Sequence, residues 1–406
     1  MTRAGRGRRP RGEPRRDRRA LTVLLAVVAT LVAIGALAVV PRLVGDEQER
    51  SGLAEFYRAP AGAAEGAPGS VVRVEPMRGD PLDADAWRIM YRTTDVHGER
   101  VLATGVVIAP RGTPPSEGRT VLAWGHSTSG TAEQCAPSRS FDPFIDVEGM
   151  RMMLDRGYTI VATDYVGMGT AGPDSYLVGV TAGNSVLDSV RAAREIPDAG
   201  AGTSVILWGH SQGGQAALFA AERAEAYAPE LGLTAVAVAA PAADLTALLQ
   251  GHLDDVSGAT IGSYAFEAYA QVYRDRGAAL DSVLTSEAQR VLPRMNELCL
   301  LTDLSELHRI AQPVVGDFFA ADPGSVEPWA TLLRENSAGA AFDAPLFVAQ
   351  GMRDRLVLPD DTEQFVEHER EQGIEVDFHP IAEADHGTVA YLALPALDSW
   401  LDSLGV

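Results

Sequence analysis

No lysine occurs in the 406 residues, so all 34 basic side chains are arginines. This absence reads as genomic composition bias rather than mechanism. There is no Gly-x-Gly-x-x-Gly segment and no phosphate loop, which removes the usual nucleotide-cofactor signatures. No group of histidines, cysteines and acids has metal-ligand spacing. Neither a cofactor nor a metal is therefore expected. No internal repeat is visible, which argues against repeat architectures. Cysteine is scarce, with only Cys135 and Cys299 present.

Charge is unevenly spread. Residues 1–20 carry nine arginines against Glu13 and Asp17, while the whole chain sits at −21. Removing those nine of 34 basic and two of 55 acidic residues leaves a body at −28. So acidic a body argues against nucleic acid as a partner. Residues 21–40 then run without any charge, a length that crosses a bilayer core as a helix. Arginines before it and Asp46, Glu47 and Glu49 after it put the N-terminus in the cytoplasm and the rest outside. A cleaved signal peptide, with Ala36-Leu37-Ala38 as its processing site, and an uncleaved signal anchor both fit. The run exceeds a usual signal core, which favours the anchor. Either way the body is exported, and in an exported protein Cys135 and Cys299 are candidates for one disulfide. Two separate buried thiols are the alternative.

Apolar residues make up 46 % of the chain, enough for a full core. Residues 41–69, rich in Gly, Ala, Pro and charge, read as a linker. From residue 70 to 406, strand and helix signals alternate. Strands are expected at 71–74, 87–93, 101–108, 120–124, 158–163, 203–208, 235–239, 346–349 and 375–379. Helices are expected at 144–156, 181–196, 212–227, 361–372 and 388–404. This order predicts an α/β fold with a mostly parallel central sheet covered by helices on both faces. The interval 244–343 breaks the rhythm. It is too long for a structureless loop and carries helical patterns at 264–276, 286–298 and 302–310, so a helical cap insertion is expected there.

The chemistry gathers around Gly209-His210-Ser211-Gln212-Gly213. A strand pattern precedes it and an Ala-rich helical pattern follows. A serine at such a turn is lifted above the sheet, and the flanking glycines permit the tight fold. Ser211 is the expected nucleophile. It needs a base, and His386, in the loop before the last helix, is best placed. Asp354, after the 346–349 strand, is the expected orienting acid, completing the order Ser, Asp, His. Asp385 is the local rival, but a carboxylate adjacent in sequence rarely reaches its neighbour's distal face. The oxyanion donors are expected at the N–H of Gln212 and in the loop after the 120–124 strand, at Thr128 with Ser127 next. His126 and His210 are expected to make local hydrogen bonds.

These segments together resemble an α/β-hydrolase of the bacterial secretory lipase group. The resemblance starts near Phe56-Tyr57-Arg58-Ala59-Pro60 and is carried by Trp124-Gly125-His126-Ser127-Thr128-Ser129-Gly130, Cys135-Ala136-Pro137-Ser138 and Asp164-Tyr165-Val166-Gly167-Met168-Gly169. Tyr176-Leu177-Val178-Gly179, the Ser211 segment and Asp385-His386-Gly387 complete it. Ser127 departs from the glycine common in the family. The resemblance implies hydrolysis of acyl esters, small or lipid, through Ser211, Asp354 and His386 under a helical cap. Acyl transfer by the same triad is one alternative. A catalytically silent binding module tethered to the membrane is another.

Overall fold

In the computed structural model, residues 52–77 and 81–406 are described. The basic stretch 1–20, the apolar run 21–40 and the start of the expected linker lie outside them. Among the described residues no helix is long and apolar enough to cross a membrane. The chain divides into two units, one ending at Phe56 and one spanning Tyr57–Val406. Residues 52–56 of the first are helical.

Among the described residues the second unit is built on nine strands: β1 (Val71–Pro76), β2 (Ala84–Thr94), β3 (Arg100–Pro110), β4 (Arg119–Gly125), β5 (Thr159–Val166), β6 (Ala201–His210), β7 (Gly232–Ala239), β8 (Leu346–Gly351) and β9 (Val376–Ile381). They form one sheet in the order β1-β2-β3-β5-β4-β6-β7-β8-β9. The β1, β2 and β3 edge is antiparallel, because a short turn joins β2 to β3. Asp95 closes that turn by accepting from the N–H groups of His97 and Glu99 at 2.9 Å each. From β5 to β9 every pairing is parallel. Each residue of β5 is buried, as a central parallel strand covered on both faces requires.

Helices α2 (Gly179–Arg194), α3 (Gln212–Tyr227) and α9 (Pro359–Glu371) cover one face, packing Val186, Leu218 and Phe365 against it. Helices α1 (Met150–Asp155) and α10 (Val389–Leu404) cover the other through Met153, Leu397 and Trp400. Between β7 and β8 the chain forms α4 (Leu245–Gln250), α5 (Val256–Val272), α6 (Ser286–Asn296), α7 (Leu300–Ala311) and α8 (Trp329–Glu335). These helices share their own core, centred on Tyr264, Phe266, Tyr269 and Trp329, with Tyr176–Val178 of the body packed into it.

Three expectations change. The linker expected over 41–69 gives way before its end. Tyr57 is buried with its hydroxyl 2.6 Å from Ser138 Oγ, and the Gly69 N–H donates to Arg92 O at 2.7 Å. Small residues there disguise backbone that adds to the sheet edge. The helix expected from 144 is confined to Met150–Asp155, because Gly149 starts it from a left-handed backbone (φ 87°). Helix α5 begins at Val256, eight residues before the expected 264. Its first turns are rich in Gly, Ser and Ala, which have weak apolar periodicity, and Asp255 caps them by accepting from the Gly258 N–H at 2.9 Å.

Candidate active site

The parallel strands β4, β6 and β8 all end on the same edge, and the loops leaving them meet there. Strand β6 ends at His210 and α3 starts at Gln212, leaving one residue for the turn. Ser211 takes the strain, with φ 57° and ψ −117°, a conformation L-residues disfavour. Its backbone is held on both sides. The Ser211 N–H donates to Ala239 O at 3.0 Å, and Ser211 O accepts from the Ala242 N–H at 3.0 Å. A Cβ at Gly209 would lie 2.1 Å from Gly213 O, and one at Gly214 would lie 2.8 Å from Pro241 Cα. The glycines are required by close backbone approach around the turn.

His386 lies between β9 and α10. Its Nε2 is 2.9 Å from Ser211 Oγ and its Nδ1 is 2.7 Å from Asp354 Oδ2. The Asp354 side chain is fully buried, and the His386 side chain is 20 % exposed. The other carboxylate oxygen, Asp354 Oδ1, accepts from the N–H groups of Leu356 (2.8 Å) and Val357 (3.0 Å). Four contacts thus hold the carboxylate and the imidazole in register with the hydroxyl. Asp385 is turned away, with its Oδ1 accepting from Thr388 Oγ1 at 2.6 Å.

The loop after β4 runs over the start of α3. A Cβ on Gly213 would sit 1.8 Å from Gly125 O and 2.7 Å from His126 O, so no side chain fits between loop and helix. Gln212 and Thr128 are buried and Ser127 is half-buried. Among the described residues no acceptor takes the backbone N–H of Ser127, Thr128 or Gln212. The Thr128 hydroxyl is committed to Tyr176 OH at 2.8 Å. Burial raises the Tyr176 phenol well above its ordinary range and keeps it protonated. Tyr176 is a partner that residue-by-residue reading missed, although its segment stood among those carrying the resemblance.

His126 makes a local contact, Nδ1 to Ser127 O at 2.6 Å, and burial pushes its imidazole below the ordinary value. His210 departs from the expected local hydrogen bonding. Its ring packs against His386 with centroids 5.0 Å apart, and its Nδ1 is 3.4 Å from Glu148 Oε2. Asp164, within β5, ties that strand to β3 and to the loop after β4, accepting from Thr104 Oγ1 (2.6 Å), the Ser138 N–H (2.9 Å) and the Ser138 hydroxyl.

Cys135 and Cys299 are bonded, with Cα atoms 5.2 Å apart. The bridge fastens the β4 loop to the helical insertion. Beside it the Leu300 N–H donates to Ser129 O at 2.8 Å and Thr131 Oγ1 to Asn296 Oδ1 at 3.0 Å. Among the described residues no group of three His, Cys, Asp or Glu side chains has the arrangement to hold a metal ion.

The sheet order and the strand–serine–helix turn define an α/β-hydrolase fold. Solved structures agree on that fold. Candida antarctica lipase A in its closed state superposes with a TM-score of 0.71 at 19 % identity, over 86 % of this chain and 84 % of that one. The rice cell wall degrading esterase LipA from Xanthomonas oryzae gives 0.65 at 21 %, over 84 % and 99 %. The description of secretory lipases matches residues 143–404. The chain belongs to the secretory lipase family, and so to the carboxylic ester hydrolases. Lipase 6 of Candida albicans is 26 % identical over 386 residues, covering 86 % of this chain and 80 % of that protein. A Mycobacterium tuberculosis protein named probable inactive lipase MT1628 is 24 % identical over 370 residues, covering 85 % and 80 %.

Proposed function

We propose that the protein is a serine lipase or esterase acting through Ser211, His386 and Asp354. The observation that carries this reading is the continuous array Asp354 Oδ2, His386 Nδ1, His386 Nε2, Ser211 Oγ, with steps of 2.7 and 2.9 Å. His386 Nε2 takes the hydroxyl proton as Ser211 Oγ attacks the ester carbonyl. The charge on the imidazolium is balanced by the buried Asp354. The N–H groups of Gln212 and of Thr128, with Ser127 next, hold the tetrahedral oxyanion. His386 then protonates the leaving alcohol, and water repeats the sequence on the acyl-enzyme.

Membership of the secretory lipase family supports an acyl ester, small or lipid, as substrate. Family membership and the disulfide support action outside the cytoplasm. Whether residues 21–40 remain as an anchor is a question for cell fractionation.

The name of the mycobacterial relative favours a second reading, a silent hydrolase fold. The experiment is turnover of p-nitrophenyl esters from acetate to palmitate by parent and Ser211→Ala, with fluorophosphonate labelling. Turnover by the parent with a loss of about 10⁴–10⁶-fold in the variant supports the hydrolase, and the chain-length optimum separates esterase from lipase. A folded parent that neither turns over nor labels sinks it. Acyl transfer is read from product analysis with an added alcohol.

A further inference from the structure

A buried polar side chain of the helical insertion touches the loop of the catalytic acid. His252, between α4 and α5, is 5 % exposed. Its Nδ1 is 2.7 Å from Asp255 Oδ2 and its Nε2 is 2.8 Å from Leu356 O. A carboxylate and a carbonyl can only accept. A neutral imidazole has one N–H, so both contacts together require a proton on each ring nitrogen.

Its surroundings suit a cation. Asp255 caps α5, and Asp361 faces His252 from the first turn of α9, with Asp244 and Asp360 beside it. The loop contributes the carboxylate of Asp354, while Arg355 is exposed. Burial pushes the Asp255 carboxyl up, but bonds from His252 and the Gly258 N–H hold it below its ordinary range.

The carbonyl that His252 holds belongs to the peptide unit whose N–H, at Val357, donates to Asp354 Oδ1 at 3.0 Å. A relay therefore runs from His252 Nε2–H through the Leu356–Val357 peptide to Asp354, and on through Oδ2 to His386. Bonds in such a chain polarise one another. Gln350 grips the same loop from the sheet, its Nε2 donating to Val357 O at 3.1 Å.

We propose that His252 is a positioning residue: as an imidazolium it clamps the Leu356–Val357 peptide, aims and polarises the N–H that holds Asp354, and couples the helical insertion to the acid loop. This rests on the Ser211–His386–Asp354 reading above.

The test compares His252→Gln, His252→Phe and Asp255→Asn with the parent, using a short soluble ester. His252→Gln keeps a donor for the Leu356 carbonyl, so its kcat is lower by only a few-fold with KM little changed. His252→Phe keeps none and loses about tenfold in kcat at unchanged KM, within the range that small misplacements cause. Asp255→Asn removes the carboxylate that anchors the ring and lowers kcat by a few-fold. ¹⁵N-histidine spectra, assigned with His252→Gln, show two protonated ring nitrogens at residue 252. Parental kcat in both His252→Gln and Asp255→Asn, or a single N–H at residue 252, overturns the clamp. If His252→Phe fails to fold, those two variants and the spectra decide. A parent without turnover or fluorophosphonate labelling instead removes the underlying hydrolase reading, which the spectra do not touch.

Discussion

Gly213 lies directly against Gly125, so near that a Cβ on Gly213 would stand 1.8 Å from the Gly125 carbonyl oxygen. The two residues belong to the start of α3 and the end of β4. Their contact sets how closely the loop carrying Ser127 and Thr128 approaches Gln212. Gly213→Ala must therefore drive loop and helix apart. We expect kcat for p-nitrophenyl butyrate to fall by about 10²-fold, with a loss of roughly 1–3 kcal/mol in stability. Urea unfolding and steady-state kinetics check it, and a variant with parental kcat would contradict the contact.

The two acids near His386 differ in their contacts: Asp354 Oδ2 meets its Nδ1, whereas Asp385 bonds Thr388. Asp354→Asn keeps an oxygen for the Leu356 and Val357 N–H groups, so the loop stays folded, but the imidazolium loses its charge partner. A fall in kcat of about 10⁴-fold is expected by analogy with the same change in other triads. Asp385→Asn, which disturbs the contacts with Thr388 and with the neighbouring backbone at Gly387, should leave kcat within twofold. Equal losses in both variants would refute the assignment of Asp354.

The Cys135–Cys299 bridge spans 164 positions. Replacing both cysteines by serine should cost about 2–5 kcal/mol. Because the bridge sits beside the Leu300–Ser129 bond, ester turnover should fall at temperatures below the global melt. Thermal denaturation followed in parallel with residual activity measures both. Coincident transitions would show that the bridge does not hold the loop separately.

Glu369 on α9 is almost wholly buried, and among the described residues both its carboxylate oxygens lack a hydrogen-bond partner. Burial, with Glu222 nearby, raises it from an ordinary 4.5 to about 7. Between those values the folded state binds the proton more tightly than the unfolded chain. Stability therefore falls as pH rises through that window, and the loss is complete above about 7. Glu369→Gln should match the parent near pH 4 and exceed it by roughly 1–3 kcal/mol at pH 8. Chemical denaturation at the two pH values tests this, and an equal difference at both would contradict it.

Local pattern carried a large part of the fold. Strand β6, the serine turn and helix α3 were legible because alternation, glycine and alanine-rich periodicity follow one another without interruption, and residues 212–227 were placed with the bounds observed. The insertion was legible by elimination, since a hundred residues cannot stay unstructured inside a compact body. The errors fell where short-range signals were weak: at Gly149, at the small residues opening α5, and at the apparent tether, whose Tyr57 reaches Ser138 81 positions away. His210 was misread because ring packing against His386 leaves no mark in sequence.

Ser211 and His386 could be chosen from their own neighbourhoods, because a turn of that strain and a loop of that place have few chemical uses. Choosing between Asp354 and Asp385 rested on chain order and on the poor reach of a carboxylate adjacent in sequence. Only tertiary structure decides which carboxylate reaches the imidazole, since that depends on where β8 ends relative to β6. The same holds for His252. Its two acceptors are three and 104 residues away. Composition and periodicity record what each residue prefers locally, whereas the partners of a buried polar group are set by which segments the sheet brings to one edge.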